Sequence, residues 1–103
     1  VFAVSPDPLI AGQHNAFDVT NGTPLTDSWL AFSLVGPGST PFPSMNLTLA
    51  LDKPKLGIGP NLTDPDGKLV WNMFVTNSLQ GRGVWMQVVQ FGRVTDVVDT
   101  TVQ

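Results

Sequence analysis

Cysteine is absent from the 103 residues, and so is glutamate: all eight acidic residues are aspartate. Without cysteine neither a disulfide framework nor a thiolate metal site can form, and the compartment stays open on that count. Charge is scarce too. Charged residues make up 13% of the chain and the net charge is −3, so the solvated surface is built largely from Thr, Asn, Ser and Gln. That composition leans towards the outside of a cell. The basic residues, Lys53, Lys55, Lys68, Arg82 and Arg93, are scattered and form no electrostatic footprint for nucleic acid. The same scarcity disfavours an anionic membrane surface. No apolar run approaches the roughly 20 residues of a membrane-spanning helix, so no membrane insertion is expected. Good helix formers are few, whereas Val, Thr, Gly and Pro are plentiful, which reads as all-β. The length suits one domain, residues 1–103, with a single modest core. A start at Val1 rather than Met suggests a processed protein or an excised domain.

Short alternating segments recur with turn signals between them, the pattern of a sandwich or barrel. Strands are predicted over Val1–Val4, Gln13–Thr20, Ser28–Val35, Met45–Leu51, Lys55–Leu62, Lys68–Thr76, Val84–Phe91 and Val94–Val102. Phe17 and Val19 share one face of the second, with His14, Ala16 and Asp18 opposite. Lys55–Leu62 is interrupted by glycine and is expected at an edge. Seven or eight antiparallel strands in a chain of this length predict an immunoglobulin-like sandwich.

The stretch "GPGSTPFP" after Val35 has two readings. A phosphate cradle needs a helix whose free N–H groups follow the glycines. Here Pro37, Pro41 and Pro43 remove donors and strand-like "MNLTLAL" follows. The stretch is therefore expected to be a stiff crossover from one sheet to the other.

Several phrases, "PDPLIAGQHNAFDVTNGTP", "WLAFSLVGPGSTPFP", "LTLALDKPKL", "DPDGKLVW" and "GRGVWMQVVQFGRVTDVVDTTV", together resemble a family of small Ig-like domains in large exported proteins of environmental bacteria. The likeness runs in order from Pro6 to Val102. It implies an immunoglobulin-like (fibronectin III-like) antiparallel β-sandwich and a non-catalytic, secreted or cell-surface module. It implies no catalytic site and no cofactor.

Candidate chemistry is thin. His14 is the sole histidine, and Asp18, the acid on its face, lies roughly 13 Å away along an extended strand, too far for a dyad. One histidine without cysteine does not make a zinc site. Asp64-Pro65-Asp66-Gly67 begins like a calcium loop, but Lys68, Leu69 and Val70 follow where further oxygen ligands are needed. It reads as a turn, and a calcium shell would need other aspartates, such as Asp27 or Asp7, to complete it.

The tryptophans carry more. Trp71 groups with Leu69, Met73 and Val75 and is expected in the core. Trp29 is in phase with Ala31, Ser33 and Val35, opposite Leu30, Phe32 and Leu34. Trp85 is in phase with Gln87, Val89 and Phe91, opposite Val84, Met86 and Val88. In an Ig-like sandwich both rings stand on one sheet's outer face, near Gln87. Trp29, Trp85 and Gln87 are therefore the candidate binding or assembly face, fit for a neighbouring domain, another copy or a sugar ring. Val1, Phe2 and Val4, on a strand-like terminus, are candidates for strand exchange between subunits. Asn21, Asn46 and Asn61 begin Asn-x-Thr triplets and are candidate glycan acceptors.

The sequence thus predicts a structural or adhesive protein rather than an enzyme. Its copies or neighbouring domains would pack by strand edges and outer-face aromatics, extending to a filament. The alternative is a carbohydrate-binding module built on Trp29 and Trp85.

Overall fold

A computed structural model describes every residue except Val1 and Asp7. The described chain is all-β. Its strands are β1 (Ala3–Pro6), β2 (Gln13–Thr20), β3 (Asp27–Ser33), β4 (Gly36–Phe42), β5 (Leu47–Asp52), β6 (Lys55–Leu62), β7 (Leu69–Val75), β8 (Gly83–Gln90), β9 (Arg93–Val94) and β10 (Val98–Thr101). Two sheets face each other. One has the order β1-β2-β7; the other has β10-β8-β3-β6, with β9 paired to β8. All pairings are antiparallel.

The period-two pattern explains the arrangement, because alternate residues of a strand point to opposite faces. Val4, Phe17, Val19, Trp71 and Val75 of the first sheet meet Leu30, Val84, Met86 and Val88 of the second, and Phe2, Leu9 and Val102 join them in one buried cluster. Trp71 is a core residue, as its phase predicts, and its indole N–H donates to Asn61 Oδ1 on β6 at 2.9 Å. That bond ties the edge of one sheet to the edge of the other.

The strand count of ten among the described residues exceeds the seven or eight expected, for two reasons. The C-terminal segment breaks at Thr95. That side chain is buried and its Oγ1 accepts from Val88 N at 3.0 Å, so the chain bends between β9 and β10. The second reason is a correction. "GPGSTPF" is not a crossover between sheets: it forms β4 and pairs with β5 as a separate two-stranded hairpin. Proline forbids ladder bonding only on the side its nitrogen faces, and a two-stranded ribbon leaves each strand one unpaired side. The register shifts between Pro37 and Thr40, where Thr40 Oγ1 donates to Leu51 O at 2.8 Å. Phe42 then leads through a short 3-10 turn, Pro43–Met45, into β5.

Turns join the layers at the ends. Asp64 Oδ1 accepts from Asp66 N and Lys68 N, and Gly67 N donates to Asp64 O, so "DPDG" is the turn its composition predicts. Gly67 has φ +76, and a Cβ there would collide with the carbonyl of Gly22. Only glycine fits a left-handed residue pressed against another backbone.

Candidate functional site

The face predicted to bind is built as the phases predict, but it is roofed. Trp29 pairs across from Val89, Ala31 from Gln87 and Ser33 from Trp85, which sets both rings and Gln87 on the outer side of the β3–β8 ladder. The β4–β5 hairpin lies over that side. Its Met45, Leu49 and Leu51 form a second buried cluster with Ala31 and Val89, and Trp29, Trp85, Phe42, Leu47, Val94 and Val97 pack around it. Both tryptophans are half-buried and form part of that cluster's wall.

Gln87 is 3% exposed, and its amide is spent inside the chain. Its Oε1 accepts from Ala50 N at 2.9 Å and its Nε2 donates to Thr95 O at 2.7 Å. Ser33 Oγ donates to Asp52 O on the same hairpin. Expecting these three side chains to form an open platform is thus corrected by the hairpin above them. Leaving an apolar outer face in water costs about 25 cal/mol per Å², and the chain supplies its own cover.

The terminal strands are likewise used internally. β1 pairs with β2 over Ala3–Pro6, and Phe2 and Val4 are buried in the principal core. Val1 lies outside the described residues, as does Asp7. The C-terminal strand β10 pairs with β8. His14 is exposed and its ring stands edge-on to Phe74, with centroids 5.4 Å apart. Among the described residues no three His, Cys, Asp or Glu side chains gather as a metal site would require. Asn21, Asn46 and Asn61 are all exposed. Arg93 donates to Thr23 Oγ1 and to the carbonyl of Asn21, while its guanidinium covers the Phe2 ring at 5.0 Å.

What the sequence pattern did not single out is the flank where β6 and β7 form the edges of the two sheets. The inter-sheet space opens there as an apolar cavity of about 340 Å³, walled by Leu30, Phe32, Met73, Val84 and Met86, with Leu56 at its rim. β6 is exposed along its length apart from Ile58, which is half-buried. On the outer side of β7, Val70 and Phe74 are 59% and 50% exposed. The signal for this flank lay in the phases of β7. Its odd residues fill the core, and two of its three even ones, Val70 and Phe74, are apolar although they face outward with Asn72.

No protein-family model matches the chain, and comparisons with curated proteins and with solved structures likewise give no match.

Proposed function

We propose that this chain is a non-catalytic structural module of the cell surface or extracellular space that works by packing against its neighbours. In this reading the sandwich is of the immunoglobulin-like, fibronectin III-like kind. The sheet orders β1-β2-β7 and β10-β8-β3-β6 support that kinship, with the β4–β5 hairpin as an addition between the third strand and the edge strand β6. The working surface is the β6–β7 flank rather than the tryptophan face. One observation carries this: β7 is a seven-residue edge strand, Leu-Val-Trp-Asn-Met-Phe-Val, with apolar side chains exposed beside an apolar opening. A long apolar edge is a template for further pairing unless it is blocked. Strand exchange by β1 is replaced by edge-to-edge packing, since β1 is already paired at home. What speaks against the glycan alternative is the hairpin over Trp29 and Trp85.

The test uses beads displaying the domain and surfaces of the cells that produce it. Retention of the beads is expected to fall at least fivefold in Phe74→Lys and to be unchanged by Trp85→Ala or by free sugars. Retention lost in Trp85→Ala or competed by sugars, yet indifferent to Phe74→Lys, overturns the packing reading in favour of the glycan one.

A further inference from the structure

We infer that the partner of the β7 edge is a second copy of this chain, joined antiparallel about a two-fold axis through Asn72. The inference rests on the packing function proposed above and names its occupant.

The first argument compares the edges. β1 is four residues long and contains Pro6. β10 is also four residues and carries Asp99 outward. β6 contains Lys55, Gly57, Gly59 and Pro60, and β4 contains Pro37 and Pro41. β5 ends in Asp52, and its Ala50 N–H is already taken by Gln87. Shortness, charge, proline and glycine are the devices that keep sheet edges from pairing. β7 alone has none of them. Its seven residues include no charge, no proline and no glycine, and it runs beside β2 without a register shift. An edge left straight, apolar and unguarded in a chain that guards the others is one that is used.

The second argument is the hydrogen-bonding face. Val75 O accepts from Gly12 N on the β2 side. Backbone groups alternate sides along a strand, so Val70, Asn72 and Phe74 turn their N–H and C=O groups to the free edge. An antiparallel second copy centred on Asn72 pairs each of these with its complement, making about six inter-chain bonds.

The third argument is self-complementarity, which a two-fold interface demands. In this register Val70 meets the second copy's Phe74, and Asn72 meets the second copy's Asn72. The two exposed apolar residues of the outer face thus cover each other, and the two amides face each other in a hydrogen-bonding pair. On the inner face Met73 meets the second copy's Trp71, a sulfur–aromatic pairing. No two like charges are opposed. The added strand also continues the three-stranded sheet past β7.

The test is sedimentation velocity on the purified chain, with variants at Asn72. That side chain is exposed on the outer face, so the fold is expected to survive, checked by unchanged far-UV dichroism. The wild type is expected to form dimers as its concentration rises. Asn72→Lys and Asn72→Asp each place like charges in direct opposition and are expected to weaken the dimer roughly tenfold at low salt. Mixing the two variants restores it. Asn72→Cys is expected to crosslink to a dimer on oxidation, whereas Val70→Cys is not, because equivalent residues at that position lie roughly 13 Å apart.

A wild type that stays monomeric at millimolar concentration overturns the inference. So does a dimer indifferent to both charges and not trapped by Asn72→Cys. If the chain is monomeric while bead retention still falls in Phe74→Lys, the packing function stands and only the second copy is refuted. If retention is also unmoved, both fail.

Discussion

Gln87 and Gln90 lie three residues apart on β8 and bind in opposite directions. Gln87 reaches outward to hold the hairpin, through Ala50 N and Thr95 O. Gln90, fully buried, closes the end of the sandwich: its Oε1 accepts from Thr23 N, and its Nε2 donates to Thr23 O and Ser28 Oγ. All buried side-chain nitrogen and oxygen atoms among the described residues have a partner, and truncating Gln87 takes the amide donor from the buried Thr95 carbonyl. Gln87→Ala is expected to destabilise by about 2–4 kcal/mol, read from the urea midpoint. A change under half a kilocalorie would mean that the hairpin is not fastened there. Two glycines offer a sharper comparison. Gly67 and Gly81 both have positive φ, but only Gly67 faces another backbone, while Gly81 faces open space. Gly81→Ala is expected to lose about 1 kcal/mol from its backbone angle. Gly67→Ala loses at least twice that, because the Gly22 carbonyl must move. Equal losses in thermal unfolding would show that Gly67 does not press on the Gly22 backbone.

Among the elements, the β4–β5 hairpin is the one that changes what the rest can do. Leu49 and Leu51 are buried beneath it, against the face that carries Trp29 and Trp85. Leu51→Ala is expected to destabilise by about 2–4 kcal/mol through the cavity it leaves. Because the hairpin shares no backbone ladder with either sheet and is fastened by side chains such as Gln87 and Ser33, it is also expected to loosen as a unit. The tryptophan emission then shifts to the red before global unfolding, with Trp71 still buried in the other core. A single transition, with emission and far-UV dichroism coincident in Leu51→Ala, would contradict this. The phases of β2, β3, β7 and β8 could be read from alternation alone, since each has one face turned to the core. The hairpin could not. Three prolines within residues 37–43 argue against a central strand, and no periodicity states that a ribbon needs pairing on one side only. The tryptophan face was therefore placed correctly, and its cover went unseen. The β6–β7 flank was hidden for a related reason: whether Val70 and Phe74 are covered depends on where β7 falls in its sheet, which a local pattern does not encode.

For the molecule as a whole, unequal sheets set the surface. A three-stranded sheet faces a five-stranded one, so one flank stays open and β7 becomes an edge beside an apolar cavity. Low charge and exposed Val70 and Phe74 leave that flank little to gain from water. The central claim is that the β7 edge is where this molecule meets its partner, and it makes a residue-specific demand. Amide exchange followed by NMR on the wild-type chain, from micromolar to millimolar concentration, tests it most directly. The account predicts that the amides of Val70, Asn72 and Phe74 gain protection as the concentration rises, while the edge amides of β6 and β10 exchange as before. Concentration-independent exchange at those three amides, with new protection at another edge or at none, would contradict it.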